Sequence, residues 1–192
     1  MPIEEKNLYD FDGTIYNGNS SIDFFIFCLF QNTNLVKYIP KNLSDLIRVK
    51  TKLLELSKSQ NDYCQFLTEI ENIDSLILNF WKYNNRKIKS WYLSQRKNSD
   101  LIITSSPDFL ITPICNHLKV NSIATRVDKN TGKILELCYQ DQKLKMLNEK
   151  YPNEIFDSFY TDSLNDDQIL FQKAKNSYLV KGNKGSKIFD GN

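Results

Sequence analysis

Histidine is almost missing from this chain: His117 is the only one in 192 residues. That leaves no evident base for a Ser-His or Cys-His nucleophile, so those hydrolase classes fall away. The four cysteines, Cys28, Cys64, Cys115 and Cys138, stand far apart with no CxxC pair, which excludes a zinc ribbon or a redox motif. Isolated thiols of this kind act as small hydrophobes and fit a reducing, cytoplasmic setting. Long apolar runs are missing too. The most apolar stretch, Ile22 to Phe30, is interrupted by Asp23 and is far too short to span a bilayer. Met1 to Lys6 has no apolar centre that could serve as a signal peptide. An excess of one charge is also lacking: the net charge of +2 gives no reason to expect nucleic acid or a membrane surface as partner.

What is present is the composition of a soluble globular protein, with 41% hydrophobic and 25% charged residues. The length suits one full domain, or a core domain carrying a smaller insertion, and the texture favours the second. From Ile22 to about Lys97 glycine is all but missing and only Pro40 interrupts a helical pattern. Ser21 is the expected N-cap of a first, strongly apolar helix. Asn42 to Ser57 and Asn61 to Ile70 follow as second and third helices, and Asp74 to Gln95 as a long fourth. On that fourth helix, Ile77, Trp81, Ile88 and Trp91 share one side, with Lys82, Arg86 and Lys89 on the other. The basic side reads as a solvated face. A sharper alternative has part of it, or Arg48, Lys50 and Lys52, facing an anionic substrate.

From Leu101 the chain changes to short apolar runs separated by helical segments, the pattern of a parallel sheet with crossover helices. Expected strands are Asn7 to Tyr9, Leu101 to Ile103, Ser158 to Thr161 and Tyr178 to Val180. Ser122 to Val127 and Lys133 to Cys138 form a hairpin around Asp128 to Gly132. Helices are expected after Pro107, ending or kinking at Pro113, from Gln140 to Lys150, and from Asn165 to Lys175. The tail from Gly182 reads as poorly ordered.

Three of these strands end at Asp10, Thr104 and Asp162. In an open parallel sheet such ends lie along one edge, where ligands bind. Gathering Asp10, Asp12, Asp162 and Asp166 there is unfavourable unaided, because two like charges about 4 Å apart repel by roughly 4 kcal/mol at an effective dielectric near 20. A hard divalent cation resolves this. Oxygen ligands with room for water and phosphate favour Mg2+ over zinc. Taken singly, each residue has a plainer explanation: a turn at Asp10 to Gly13, a strand-end cap at Thr104, a surface lysine at Lys143, a capped helix start at Asp162 and Asp166.

The segment Asp10-Phe11-Asp12-Gly13-Thr14 after an N-terminal strand resembles the first motif of the haloacid dehalogenase superfamily of phosphohydrolases. Leu101 to Pro107, ending its apolar run at Thr104, resembles the second motif. Lys143 resembles the third and Phe159 to Asp166 the fourth. Four motifs in the right order make a specific match over residues 7 to about 182, closest to the phosphoserine-phosphatase-like branch.

The resemblance implies a Rossmann-like three-layer α/β/α core with a parallel sheet, formed by residues 1–18 and 98–192, and an inserted helical cap at 19–97. It implies Asp10 as the nucleophile that forms an aspartyl-phosphate and Asp12 as general acid and then base. Mg2+ would be held by the Asp10 side chain, the Asp12 backbone carbonyl and Asp162. Thr104, with Ser105 and the backbone N–H groups after it, and Lys143 would bind the transferring phosphoryl group. Gly13 would allow close backbone approach, and Asp166 would support the metal or position Lys143. Ser105 or Ser106 could stand in for Thr104, and Asp167 for Asp166. Relatives that use phosphoserine carry a Glu nine or ten residues after the nucleophile. Here Asn19-Ser20-Ser21 carries no acid, so phosphoserine is not implied. The expected activity is Mg2+-dependent hydrolysis of a small-molecule phosphomonoester. Alternatives are transfer to an acceptor other than water and a non-catalytic phospholigand-binding module.

Overall fold

The structure is a computed structural model that describes residues 6–39 and 64–190. The sequence-expected helix over Asn42–Ser57, the start of the one over Asn61–Ile70, Pro40 and the basic group Arg48, Lys50 and Lys52 lie outside these residues. Among the described residues one seven-stranded sheet forms the centre. Its strands are β1 (Asn7–Tyr9), β2 (Leu101–Pro107), β3 (Asn121–Asp128), β4 (Lys133–Glu136), β5 (Phe156–Thr161), β6 (Ala174–Lys181) and β7 (Lys184–Asp190). They lie in the order β4-β3-β2-β1-β5-β6-β7. The inner strands pair in parallel, and the two edge strands, β4 and β7, are antiparallel to their neighbours.

Strand side chains alternate between faces, and here both faces are buried. Leu8, Leu101, Ile103 and Phe159 join one apolar cluster, while Tyr9 and Ile102 join another. An α/β sheet packed on both faces is the three-layer arrangement expected from the sequence. On the second face Tyr9, Tyr160 and Tyr178 stack across three neighbouring strands, ring centres 4.9 Å apart at each step. Such cross-strand aromatic pairs lock register.

Between β1 and β2 lie α1 (Ser20–Gln31), α2 (Ile73–Asn84) and α3 (Ser90–Gln95), with 3-10 turns at Thr33–Tyr38, Gln65–Glu69 and Asn85–Lys87. Asn19, not Ser21, caps α1, accepting from the Ile22 backbone N–H. The long helix expected over Asp74–Gln95 is broken. Its backbone at 87–89 leaves helical geometry to pair with the loop after β1. The Lys87 carbonyl accepts from Asn17 N–H, and Lys89 N–H donates to the Ile15 carbonyl. A local helical preference has yielded to tertiary backbone bonds. Ile77, Trp81 and Ile88 are buried as the stripe required, and Lys82 and Arg86 are exposed, but Lys89 is buried.

In the second half, α4 (Asp108–Leu118) runs straight through Pro113. Proline removes one helical donor, and the neighbouring turn gains another: the Trp81 indole N–H donates to the Leu110 carbonyl at 2.6 Å. The hairpin β3–β4 forms as expected around Asp128, whose carboxylate accepts from Asn130 N–H and the Thr131 hydroxyl. α5 (Asp141–Lys150) follows. The helix expected over Asn165–Lys175 is instead a single α-turn, α6 (Leu164–Asp167), and a 3-10 segment, Gln168–Lys173. Among the described residues the tail from Gly182 forms a strand, β7. Gly182, at φ 60, turns the chain so that β7 pairs with β6 from Lys181↔Lys184 onward, supplying the left-handed geometry a tight hairpin needs.

Candidate active site

The ends of β1, β2 and β5 deliver the site. Asp10 directly follows β1, and its N–H donates to the Tyr160 carbonyl, which keeps it in register with β5. Asp162 directly follows β5. Thr104 lies within β2, which runs on to Pro107 rather than stopping at Thr104. The pairing of β2 with β3 shifts between Ile103 and Pro107, so the strand bends where it meets the site. A cavity of about 600 Å³ opens over these ends and is lined by Asp10, Asp12, Gly13, Thr104, Ser105, Lys143, Asp162 and Asp166. The eight residues that the resemblance implies for the site thus line one volume, as does Asp167, whereas Ser106 does not line it.

Asp10 is buried, and both its oxygens are engaged. Lys143 Nζ donates to Oδ1 at 3.0 Å and the Thr14 hydroxyl to Oδ2 at 3.2 Å. The same Thr14 hydroxyl lies 3.5 Å from Asp162 Oδ1, so the carboxylates from β1 and β5 are neighbours across one donor. Burial pushes the Asp10 carboxyl up. Lys143 pulls it back, and Asp167, Asp162 and Asp12 push it up again. Burial alone would pull the Lys143 ammonium down, but Asp10 and Asp167 hold it above its ordinary value.

Gly13 sits at φ 74, and a Cβ there would lie 2.0 Å from Asp162 Oδ2. Only glycine lets the loop pass under that carboxylate. Lys89 Nζ donates to the Gly13 carbonyl, so a residue assigned to a solvated helix face ties the segment before α3 to this loop.

Asp12 is held from the other side. Ser20 N–H donates to Oδ1 at 2.6 Å and the Ser106 hydroxyl to Oδ2 at 2.5 Å. Burial raises the Asp12 carboxyl, and these two donors pull it down. The Thr104 hydroxyl oxygen accepts from Ser106 N–H at 3.2 Å. Its own hydrogen remains to be donated.

The fourth motif needs a correction. Asp167, not Asp166, faces Lys143, with 2.6 Å between Nζ and Oδ1, and its other oxygen accepts from the Thr161 hydroxyl at 2.6 Å. Asp166 instead accepts from Tyr139 OH at 2.6 Å and from Ser163 Oγ at 2.9 Å. The reason is geometric: Ser163 caps the short α6, and Asp166 closes that cap, so the next residue turns inward. Thr14 stood in the first motif without a role, Lys89 was named only among basic residues that could face the substrate, and Ser20 carried no signal in the sequence. Asp167 and Ser106 were visible only as alternatives to their neighbours.

The donors that could hold a cation are all oxygens, which suits a hard divalent ion. No group of three or more His, Cys, Asp or Glu side chains forms a metal centre among the described residues. No described helix is long and apolar enough to cross a membrane.

Comparison with known proteins bears on the same elements. A protein of unknown function from Bordetella pertussis Tohama I is similar in structure, with a TM-score of 0.71 at 17% identity over 86% of each chain. A phosphoserine phosphohydrolase-like protein from Francisella tularensis subsp. tularensis SCHU S4 gives 0.55 at 16% identity, covering 90% of this chain and 85% of its own. A phospho-aspartyl intermediate analogue of phosphoserine phosphatase gives 0.52 at 17%, covering 90% and 84%. At these identities the likeness is one of fold. No curated protein sequence matches the chain. The model of the haloacid dehalogenase-like hydrolases matches residues 8–170, so the chain belongs to that family.

Proposed function

We propose that this hydrolase is a Mg2+-dependent phosphomonoesterase that works through an aspartyl-phosphate on Asp10. The observation that carries the reading is the joint setting of Asp10 and Asp12 in one cavity. One carboxylate is bonded to a buried lysine, and the other is held by neutral donors two residues away. Lys143 favours the ionised form a nucleophile needs, against the burial and the neighbouring acids that push the Asp10 carboxyl up, and the second carboxylate suits a group that gains and loses a proton.

In the first step an Asp10 oxygen attacks phosphorus, the bond to the leaving oxygen breaks, and Asp12 gives its proton to that oxygen. In the second, Asp12 takes a proton from water as the water oxygen attacks the aspartyl-phosphate, releasing phosphate and restoring Asp10. Thr104, Ser105 and Lys143 donate to the phosphoryl oxygens, where fixed donors matter most. Asp167 positions Lys143. Mg2+, held by the Asp10 and Asp162 carboxylates and the Asp12 carbonyl, would offset the charge of the acids and of the phosphoryl group.

The division of the chain belongs to the same proposal: residues 1–18 and 98–192 form the catalytic core and 19–97 a helical cap over it. The substrate is a small phosphomonoester. Asp10→Asn should abolish p-nitrophenyl phosphate hydrolysis while circular dichroism stays unchanged, and chelator should silence the parent protein until Mg2+ is restored. Wild-type-like turnover by the Asn variant would sink the mechanism.

A further inference from the structure

Next to the Asp12 carboxylate three serine side chains meet at the Ser106 hydroxyl. Ser106 Oγ lies 2.9 Å from Ser21 Oγ and 3.3 Å from Ser20 Oγ, and it donates to Asp12 Oδ2 at 2.5 Å. Ser20 and Ser106 are buried. A hydroxyl has one hydrogen to give. Ser106 spends its hydrogen on the carboxylate and so accepts from Ser21, while the Ser20 hydroxyl, which neighbours both Ser106 and the Asp12 carboxylate, has one hydrogen for either. These donors converge on Asp12, and Ser20 N–H completes the set on Oδ1.

We infer that Ser106 is a positioning residue for the phosphatase reaction: its hydroxyl, oriented by Ser21, holds the Asp12 carboxyl aimed into the cavity for proton transfer. The inference rests on the proposed phosphatase function. Its grounds are separate, because Asp12 touches three places on the chain: its own loop, the start of α1 through Ser20, and the end of β2 through Ser106. Ser20 comes from a segment that the reaction does not otherwise use, and Ser106 follows Thr104 and Ser105 on β2 with its hydroxyl turned to Asp12. A carboxyl on a short side chain keeps two free torsions unless both oxygens are anchored. General acid catalysis needs the proton within hydrogen-bond reach of the leaving oxygen.

The test compares Ser106→Ala, Asp12→Asn and the double variant in steady-state hydrolysis of p-nitrophenyl phosphate, with thermal melts as the check on folding. The Ala variant should lose about 10- to 100-fold in kcat, the range of one charge-assisted hydrogen bond, with KM changed less than about 3-fold. In the Asp12→Asn background the same change should cost nothing further, since Ser106 acts only through that carboxyl. Ser106→Thr, which keeps the hydroxyl, should recover most of kcat. If the Ala variant does not fold, Ser106→Cys, close in size but a weak donor, should show the same fall in kcat. Additive losses in the double variant, or a fall confined to KM, would overturn the inference. If Asp12→Asn falls to a low residual rate while Ser106→Ala and Ser106→Cys turn over like wild type, the positioning role alone fails. An inactive parent protein, or an Asp12→Asn variant with the kcat of the wild type, overturns the phosphatase reading and the inference with it.

Discussion

Lys143 has two carboxylate partners, and the second lies one residue past the position that motif spacing favours. Asp10, Lys143 and Asp167 are all buried and bonded in a row. Lys143 is the single cation of that row, so removing it would leave two buried carboxylates without a partner, at roughly 3–5 kcal/mol, whereas Asp167→Asn leaves Lys143 paired with Asp10. Asp167→Asn should therefore cost about 1.5–3 kcal/mol in urea unfolding, the range of a hydrogen bond to a charged group, and depress phosphatase activity through the displaced lysine. Asp166→Asn, which loses bonds to Tyr139 and Ser163 at the cavity rim, should cost about 1 kcal/mol. Equal losses in the two variants would remove the distinction drawn between them. The residue-level reading of Asp10, Asp12, Thr104, Lys143 and Asp162 rested on the order of four motifs and their likeness to those of the family. Choosing between adjacent candidates was different. Asp166 and Asp167 have the same chemistry, and only the angle at which a one-turn helix leaves Ser163 decides which one faces inward.

At the level of elements, the strands were legible because each is a short apolar run with turn residues at its ends. Among the segments that went otherwise, two show the physical reason. The helical pattern of Asp74–Gln95 carries no internal breaker, yet the backbone at 85–89 gives up helix to bond Ile15 and Asn17. The polar, glycine-bearing tail looked unstructured, yet β6 offers it an open edge and β7 fills it. An uncovered edge strand is an invitation to association. A chain ending at Lys181 should thus melt several degrees lower, about 2–4 °C for each kcal/mol lost at this length. It should also scatter more light on heating. An unchanged melt would mean that β7 adds nothing to the sheet.

Across the whole molecule the four cysteines serve the core. All are free and buried, and burial pushes each thiol up to about 12. Thiolate is the reactive form, so an aromatic disulfide reagent at pH 8 should label the native protein negligibly and four equivalents per chain in denaturant. Rapid native labelling of even one would contradict the burial described here.

Composition and order sufficed for the family, the α/β class and the carboxylates around which the chemistry turns, because strand periodicity and motif spacing are local properties of the chain. Contacts between distant segments were beyond it. Lys89 bonding Gly13, Thr14 standing between Asp10 and Asp162, and Ser106 reaching Asp12 from 94 residues away depend on how strands register and where a helix breaks. Those outcomes are set by packing and backbone bonding across the fold, and no stretch of sequence carries them alone.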